Sequence, residues 1–300
     1  SYCSVSGSIS SSSEASGGSV AASEKLYSSC SGGITGSNIG TISKCSVSPS
    51  ISSSARSASS CSGGIAGTNT CTISESSVSG SISASSFYSP YSGGIAGYNV
   101  KGKISECSVE GIVSSKAESS SDACSGGISG ANGGTILNCL VSCKILSSSV
   151  GLSDSNKKSG GISTINEGEI CNTLVLSKEI EGYQTFRICE NESIFKFKSN
   201  GTLKNNYAIE TLSINENIFH ANDIDLESNP NGANGKSVPE KNLTQTFYER
   251  DLKWDFEQNW NWDADNKIPV PAGAGYNSGS YESKKNSIKI SQSLLEEQLK

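Results

Sequence analysis

The residues with the greatest capacity for chemistry are eleven cysteines, which all fall between Cys3 and Cys189 and recur at equivalent positions of a repeating sequence. Cysteines at this density favour an oxidising compartment. We expect disulfides between equivalent cysteines of adjacent repeats, with rows of reduced thiols as the alternative, because in-register neighbours point the same way. The candidate pairs are Cys3 with Cys45, Cys107 with Cys139 and Cys30 with Cys61.

Other chemical signatures are weak in the sequence. The single histidine, His220, has no C-x-x-C motif beside it to complete a zinc site, and no G-x-S-x-G elbow is present for nucleophilic catalysis. Acidic residues of the repeats, among them Glu106 and Glu110, do not form the conspicuous carboxylate cluster that glycosidases need. We therefore expect a non-catalytic protein with no metal and no cofactor.

A repeat of 30 to 34 residues positions these side chains. The tetrapeptide Ser-Gly-Gly-Ile opens at Ser31, Ser62, Ser92, Ser125 and Ser159. A constant period of this length indicates stacked structural units. An asparagine follows seven residues into each copy, and a sixth continues the series: Asn38, Asn69, Asn99, Asn132, Asn166 and Asn200.

Apolar and polar residues broadly alternate within each repeat, as in Thr41 to Val47, and this is the period of a strand with one buried face. Gly-Gly and Gly-x-Asn interrupt the strands at the same place in every copy, which predicts corners. One copy cannot enclose a core, so we expect an all-β parallel β-helix, or β-solenoid, of about six to seven coils. The asparagines are expected at left-handed corners, where their amides bond to those of neighbouring coils in a structural ladder.

The best copy, Ser92 to Gly111, reads SGGIAGYNVKGKISECSVEG and resembles the GLUG repeat, whose usual form is near GG-[LI]-[VA]-G-x-N-x-G-x-I-x-x-[SC]. The resemblance extends from Ser31 to roughly Leu212. It implies a right-handed parallel β-helix from an exported, adhesin-like surface protein. Immunoglobulin A metalloproteases also carry GLUG-type repeats, but their H-E-x-x-H zinc motif is absent from this sequence.

Three regions are expected along the chain. Residues 1–214 form the solenoid, residues 215–272 a loop and an aromatic-rich capping element, and residues 273–300 a linker or tail. Bulky aromatic side chains are an efficient cover for the open end of a solenoid. A carbohydrate platform built from the three tryptophans is the alternative. The predicted cap residues are Phe247, Trp254, Phe256, Trp260 and Trp262.

Serine-rich tracts follow Cys45-Ser46-Val47 and the equivalent segments of other copies, for example Ser50 to Ser54 and Ser81 to Ser85. We expect serine to face outward and isoleucine inward. A sharper interpretation is a hydroxyl-lined face that binds glycans or is itself O-glycosylated.

Composition and charge argue against nucleic acid and a membrane span as partners of this chain. The formal charge is −6 with 17% charged residues, so the basic footprint of a nucleic-acid binder is missing. No apolar run approaches the roughly 20 residues that cross a bilayer. We expect an extracellular or cell-surface module that binds a glycan or a host or surface protein. The alternatives are a subunit of a self-assembling extracellular filament, and the repeat region of a larger secreted protease or polysaccharide-active enzyme.

Overall fold

The computed structural model describes residues 3–13, 27–56, 59–119, 121–150, 156–190, 201–215, 217–218 and 229–274. The chain winds through successive coils, and a full coil adds one strand to each of four sheets. Neighbouring coils pair in parallel and in register, so that Val5 lies beside Val47 and Ile9 beside Ile51. The predicted all-β parallel solenoid is confirmed. Two of its sheets have six strands each, which at about 4.8 Å per coil makes a stack about 25 to 30 Å tall.

Each of the four sheets collects the strands that occupy equivalent positions in successive coils. Sheet A contains Cys3–Ser13, Cys45–Ala55, Ser77–Ser86, Ser108–Ala117, Leu140–Ser149, Leu174–Val175, Glu179–Glu181, Tyr207–Ile209, Ser213–Ile214, Asn217–Ile218 and Lys236–Val238. Sheet B contains Tyr27–Gly32, Ser59–Gly63, Tyr91–Gly93, Ala123–Gly126, Lys157–Gly160 and Gln184–Phe186. Sheet C contains Thr35–Asn38, Ala66–Asn69, Ala96–Asn99, Ser129–Asn132 and Ser163–Asn166. Sheet D contains Thr41–Ser43, Thr72–Ser74, Lys103–Ser105, Thr135–Leu137, Glu169–Cys171 and Thr202–Lys204.

Stacked rows of β-branched residues fill the interior. One isoleucine of each coil follows the Gly-Gly pair, and the members from Ile65 to Ile162 are completely buried. The glycine before it has no room for a side chain, since a Cβ on Gly94 would lie 2.2 Å from the carbonyl oxygen of Gly127. The Gly-Gly pair therefore lets successive coils approach closely at this turn.

A second recurring corner lies between sheets D and A, and here the backbone is left-handed. The residues at this corner share positive φ angles of 48° to 59°, and they are Lys44, Glu75, Glu106, Asn138, Asn172 and Asn205. The asparagines predicted to be left-handed, such as Asn99, instead end the strands of sheet C. The prediction that the Gly-x-Asn asparagines are left-handed is therefore wrong, and the left-handed residue of each coil lies at the corner between sheets D and A.

The end of the stack beyond the last coil is covered by the segment from Asn229 to Val238. The amide groups of Ile188 and Cys189 both donate to the carbonyl oxygen of Ala233, at 2.9 and 3.1 Å. The strand Lys236–Val238 then pairs in parallel with Tyr207–Ile209 and continues sheet A past residue 214. The division of the chain at residue 214 stays a prediction, and residues 275–300 of the predicted tail lie outside the described residues.

The C-terminal part of the described chain begins with two short helical elements, a 3-10 turn Glu240–Asn242 and an α-helix Gln245–Arg250. Thr244 caps this helix, because its side-chain oxygen accepts from the Phe247 amide. The hairpin Trp260–Asp263 and Ile268–Pro271 follows. Neither helical element of the described chain is long and apolar enough to cross a membrane.

Residues 251–274, here called the C-terminal strap, run back along the side of the stack. The Asn205 side chain donates to the carbonyl oxygen of Asp251 at 2.7 Å, and the Trp254 indole donates to that of Asn172 at 2.8 Å. Further along, Gly273 lies against Lys44, where a Cβ would meet the lysine Cγ at 2.5 Å. The strap therefore passes the left-handed corners in reverse order, from the sixth coil toward the first.

Candidate functional site

The outward side of sheet A carries a regular array of hydroxyl groups. On its first three strands, the side chains that alternate with the buried residues are all serine. These fifteen residues, here called the serine face, are Ser4, Ser6, Ser8, Ser10, Ser12, Ser46, Ser48, Ser50, Ser52, Ser54, Ser77, Ser79, Ser81, Ser83 and Ser85. Strand geometry spaces the hydroxyls by about 4.8 Å between coils and about 7 Å along each strand.

Hydroxyls of the serine face also bond to one another and to the backbone. Ser48 Oγ lies 2.8 Å from Ser79 Oγ, and the Ser77 hydroxyl donates to Ser46 Oγ at 3.4 Å. A hydroxyl has one donor and two acceptor positions, so these contacts leave hydrogen-bonding capacity on an exposed surface. The array can therefore bind a flat polar ligand through many weak contacts.

The serine face ends at the fourth strand, where Glu110, Ile112 and Lys116 take three of the outward positions and Ser108 and Ser114 keep the other two. In the next coils Lys144 Nζ lies 3.0 Å from Glu179 and 3.1 Å from Glu181. Burial alone would lower the pKa of Lys144, but its hydrogen bonds to both carboxylates hold that pKa above its usual value. The outward side of sheet A thus divides into a neutral hydroxyl part and a charged part.

Other serines lie inside the stack, where sheets A and B meet. Ser53 Oγ lies 2.6 Å from Ser62 Oγ, and Ser115 Oγ lies 2.7 Å from Ser125 Oγ. All four side chains are buried. The expectation that serine faces outward is therefore correct for the serine face and wrong at this corner, where paired hydroxyls satisfy each other.

The predicted asparagine ladder spans five coils. Each amide nitrogen donates to the amide oxygen of the next coil, at 2.8 Å from Asn38 to Asn69, 2.9 Å from Asn69 to Asn99, 2.7 Å from Asn99 to Asn132 and 2.8 Å from Asn132 to Asn166. All five side chains are buried. They therefore hold adjacent coils together and are not accessible to a ligand. Asn200, the sixth member, lies outside the described residues.

The ten cysteines whose side chains the structure describes carry thiols, so the expected disulfides are not formed in it. Cys107 and Cys139 are register neighbours and both are completely buried. The Cys107 thiol donates to the carbonyl oxygen of Ser105 and the Cys139 thiol to that of Leu137, each at 3.2 Å. Because in-register neighbours point the same way, each thiol bonds to a carbonyl oxygen of its own coil. The reduced ladder is thus the arrangement observed for this pair. Cys3 pairs with Cys45 through the backbone, and its side chain lies outside the described residues.

Thiol reactivity should differ sharply between two groups of cysteines. A hydrogen bond from Cys61 lowers the pKa of the half-buried Cys30, whereas burial raises the pKa of Cys107 and, for Cys143, raises the pKa to about 12. Thiolate is the reactive form, so we expect native alkylation at neutral pH to modify Cys30 and to spare Cys107 and Cys143 until urea is added. Peptide mass spectrometry without reductant measures this. A peptide linking Cys107 to Cys139 would contradict the thiol assignment, and one linking Cys3 to Cys107 would contradict the register.

The predicted cap residues cluster on the side of the stack. Trp254 and Trp260 stack with ring centroids 4.2 Å apart, and Phe247 meets Tyr207 edge-on at 5.3 Å. The cluster also includes Leu140 and Leu174, which with Tyr207 occupy one outward position of three successive coils. The structure therefore places the aromatic residues over the flank of sheet A, whereas Asn229 to Val238 cover the end.

The alternative of a tryptophan platform for carbohydrate does not fit the observed burial. Trp254 is 2% exposed and Trp260 is completely buried, so neither ring offers a face to a sugar. Trp262 and Phe256 are partly buried and pack against the same cluster. These aromatic residues are therefore assigned to packing.

His220, the single histidine, lies outside the described residues. Within the part of the chain that the structure describes, no group of three His, Cys, Asp or Glu side chains could hold a metal ion.

The fold defines this chain as a parallel β-solenoid protein with a row of buried asparagines and a lateral C-terminal strap. No protein-family model matches it, so the resemblance to the GLUG repeat stays a hypothesis. No curated protein matches it either. Among solved structures, a crystal structure of a "putative immunoglobulin A1 protease" from Bacteroides ovatus matches with 20% identity and a TM-score of 0.43. The alignment covers 83% of this chain and 61% of that chain.

Proposed function

We propose that this chain is a non-catalytic module of an extracellular, adhesin-like surface protein, in which a rigid solenoid presents the serine face to a glycan. The observation that carries this proposal is the in-register array of fifteen outward serines on three adjacent strands. Sugar hydroxyls bond well to an array of donors and acceptors at fixed spacing. A rigid scaffold also lowers the entropic cost of ordering the binding groups.

Several groups that could act in catalysis are already engaged in structural contacts. Lys44 lies 3.5 Å from Glu75, and Lys158 lies 2.8 Å from Asp122. Burial raises the pKa of Cys189 well above its usual value, which keeps this thiol protonated at neutral pH. These contacts support a structural role for the side chains that otherwise invite an enzymatic interpretation.

Location outside the cell is proposed from the resemblance of the sequence to the GLUG repeat, because the described cysteines are thiols and the cysteine count no longer supports it. Membership of a larger secreted protease or polysaccharide-active enzyme remains compatible with such a module. In that arrangement this chain supplies the scaffold and another region supplies the chemistry.

A self-assembling filament is the second candidate, and the edge strands favour it. Among the described residues, the first coil supplies the outermost strand of all four sheets, for example Cys3–Ser13 in sheet A and Thr41–Ser43 in sheet D. Sheet edges are templates for association, so a second copy could pair with this coil. The opposite end is covered by Asn229 to Val238, which would have to move before coils could stack there. Electron microscopy of the purified protein distinguishes fibres from single particles.

A test of the serine face removes hydroxyls without disturbing strand propensity. We expect Ser50→Val with Ser52→Val to reduce binding on a glycan array by about tenfold or more, since several hydrogen bonds are lost together. The matched control is Ser142→Val with Ser148→Val, on the fifth strand of the same sheet and outside the serine face. Equal binding by both variants would rule out the serine face as the contact surface. Absence of any glycan signal for the unmodified protein would contradict the proposed ligand class.

A further inference from the structure

A cleft lies between the last strand of sheet A and the short helices, at the opposite end of the stack from the serine face. It is an open cleft of about 490 Å³. Its walls come from the strand Lys236–Val238, from the 3-10 turn Glu240–Asn242 and from the helix Gln245–Arg250. The volume falls within the usual range for small-ligand sites.

The cleft is cationic in a chain whose overall charge is −6. Lys236, Lys241 and Arg250 line it, against the single carboxylate of Asp251. Arg250 Nη2 already lies 2.8 Å from Asp251 Oδ2, so that pair is internally compensated. Neither lysine forms an ion pair with another described residue. Two positive charges thus line the cleft with no carboxylate partner among the described residues.

Aromatic rings and polar groups complete the lining. Lys236 Nζ lies 6.0 Å from the centroid of the Tyr207 ring, which positions the ammonium group at the wall. Phe247 packs edge-on against Tyr207, and both rings are buried, so they form the floor of the cleft and expose only their edges to it. Burial raises the pKa of Tyr207, so its phenol keeps its proton. The side chains of Asn242 and Thr246 add hydrogen-bonding groups at the rim.

We propose that this cleft binds an anionic saccharide, with the acidic group of one sugar residue between Lys236 and Lys241 and the sugar hydroxyls against Asn242 and Thr246. The two ammonium groups match an acidic group, and the amide and hydroxyl groups at the rim match the sugar hydroxyls. An acidic peptide would satisfy the charge but brings fewer hydroxyl groups to this rim, and it is therefore included as a competing probe. The site is separate from the serine face and does not depend on it.

The test titrates the full chain with four probes by isothermal calorimetry at two salt concentrations. The probes are a galacturonic acid trisaccharide, a sulfated galactose trisaccharide, a neutral galactose trisaccharide and a short aspartate-rich peptide. We expect binding of one or both acidic saccharides that weakens with salt, because the contacts are electrostatic and partly exposed. Comparison of the first two probes distinguishes a carboxylate from a sulfate.

Matched variants locate the binding. Lys236→Gln with Lys241→Gln should weaken the acidic saccharide by about tenfold or more, since both charges are lost. Lys101→Gln with Lys103→Gln removes the same charge from exposed positions elsewhere and should leave the affinity unchanged. Lys241→Gln alone, on an exposed turn, keeps the test valid where the double variant fails to fold.

Four results would each refute the site. They are equal affinity for the neutral trisaccharide, an equal loss of affinity in the control variant, tighter binding of the peptide, and no binding of either acidic saccharide at millimolar concentration. None of these outcomes bears on the serine face, whose variants are different.

Discussion

Replacement of Trp254 and Trp260 together by alanine is expected to detach the C-terminal strap while the coils stay folded. The two indoles are stacked and almost fully buried, and truncation of a buried aromatic side chain typically costs about 3 to 5 kcal/mol. Coils depend mainly on their neighbours, so far-ultraviolet circular dichroism should remain β-rich. Leu140 and Leu174 would become exposed, and we expect association on size-exclusion chromatography together with red-shifted emission from Trp262.

Trp260→Phe is the matched control for this experiment. The Trp260 indole N–H has no acceptor among the described residues, whereas the Trp254 indole donates to Asn172. Phenylalanine preserves most of the ring packing and removes an unsatisfied donor, so its effect on the free energy of unfolding should be small. A double alanine variant that ran as a stable monomer with unchanged Trp262 emission would contradict the packing role of the strap.

Asn99→Leu is expected to destabilise the middle of the stack by about 2 to 5 kcal/mol, because several buried polar groups lose a partner at once. The side chain accepts from Asn69 and donates to Asn132 and to the Gly102 carbonyl oxygen, at 2.9, 2.7 and 3.0 Å. Leucine has a similar volume but can form none of these bonds. Urea denaturation followed by circular dichroism measures the change.

Lys101→Leu places the same residue two positions away on an exposed side chain and should change the free energy of unfolding by less than about 0.5 kcal/mol. If Asn99→Leu were equally mild, the amide row would contribute little, and shape complementarity alone would hold the coils in register. Intermediate urea curves with two transitions would instead indicate that the stack unfolds on either side of the broken row.

The solenoid was predictable from the sequence because its information is local and repeated. Each copy places isoleucine, valine and asparagine at fixed offsets. The register between coils therefore follows from aligning identical residues of adjacent copies, such as Val47 with Val78 or Asn69 with Asn99. The interior was predictable for the same reason. Repetition lets one strand pattern be checked in every coil.

The left-handed corner was harder to predict. Its first three positions hold Lys44, Glu75 and Glu106, which give no signal for positive φ. Asn138 and Asn172 at the same position of later coils were the available indication. The sequence instead suggested a left-handed conformation for the asparagines of the Gly-x-Asn group. In the structure each of these asparagines ends a strand and uses its side-chain amide for the ladder.

The position of the aromatic residues was not predictable from local sequence, because it depends on contacts between residues that are distant in sequence. Outward positions that hold Ser46, Ser77 and Ser108 in early coils change to Leu140 and then to leucine and tyrosine in later ones. That change marks a flank that needs cover, and it is visible in the sequence once the register is known. An aromatic segment alone does not reveal which apolar surface it covers.

The reversed course of the C-terminal strap determines how the molecule would respond to mechanical load. Because Gly273 lies beside Lys44, the strap reaches back as far as the first coil. A force that pulled Gly273 away from the stack would act on the strap contacts one after another, in a peeling geometry, before it reached the hydrogen bonds between coils. The strap would therefore detach and lengthen at low force, while the stacked sheets keep their shape.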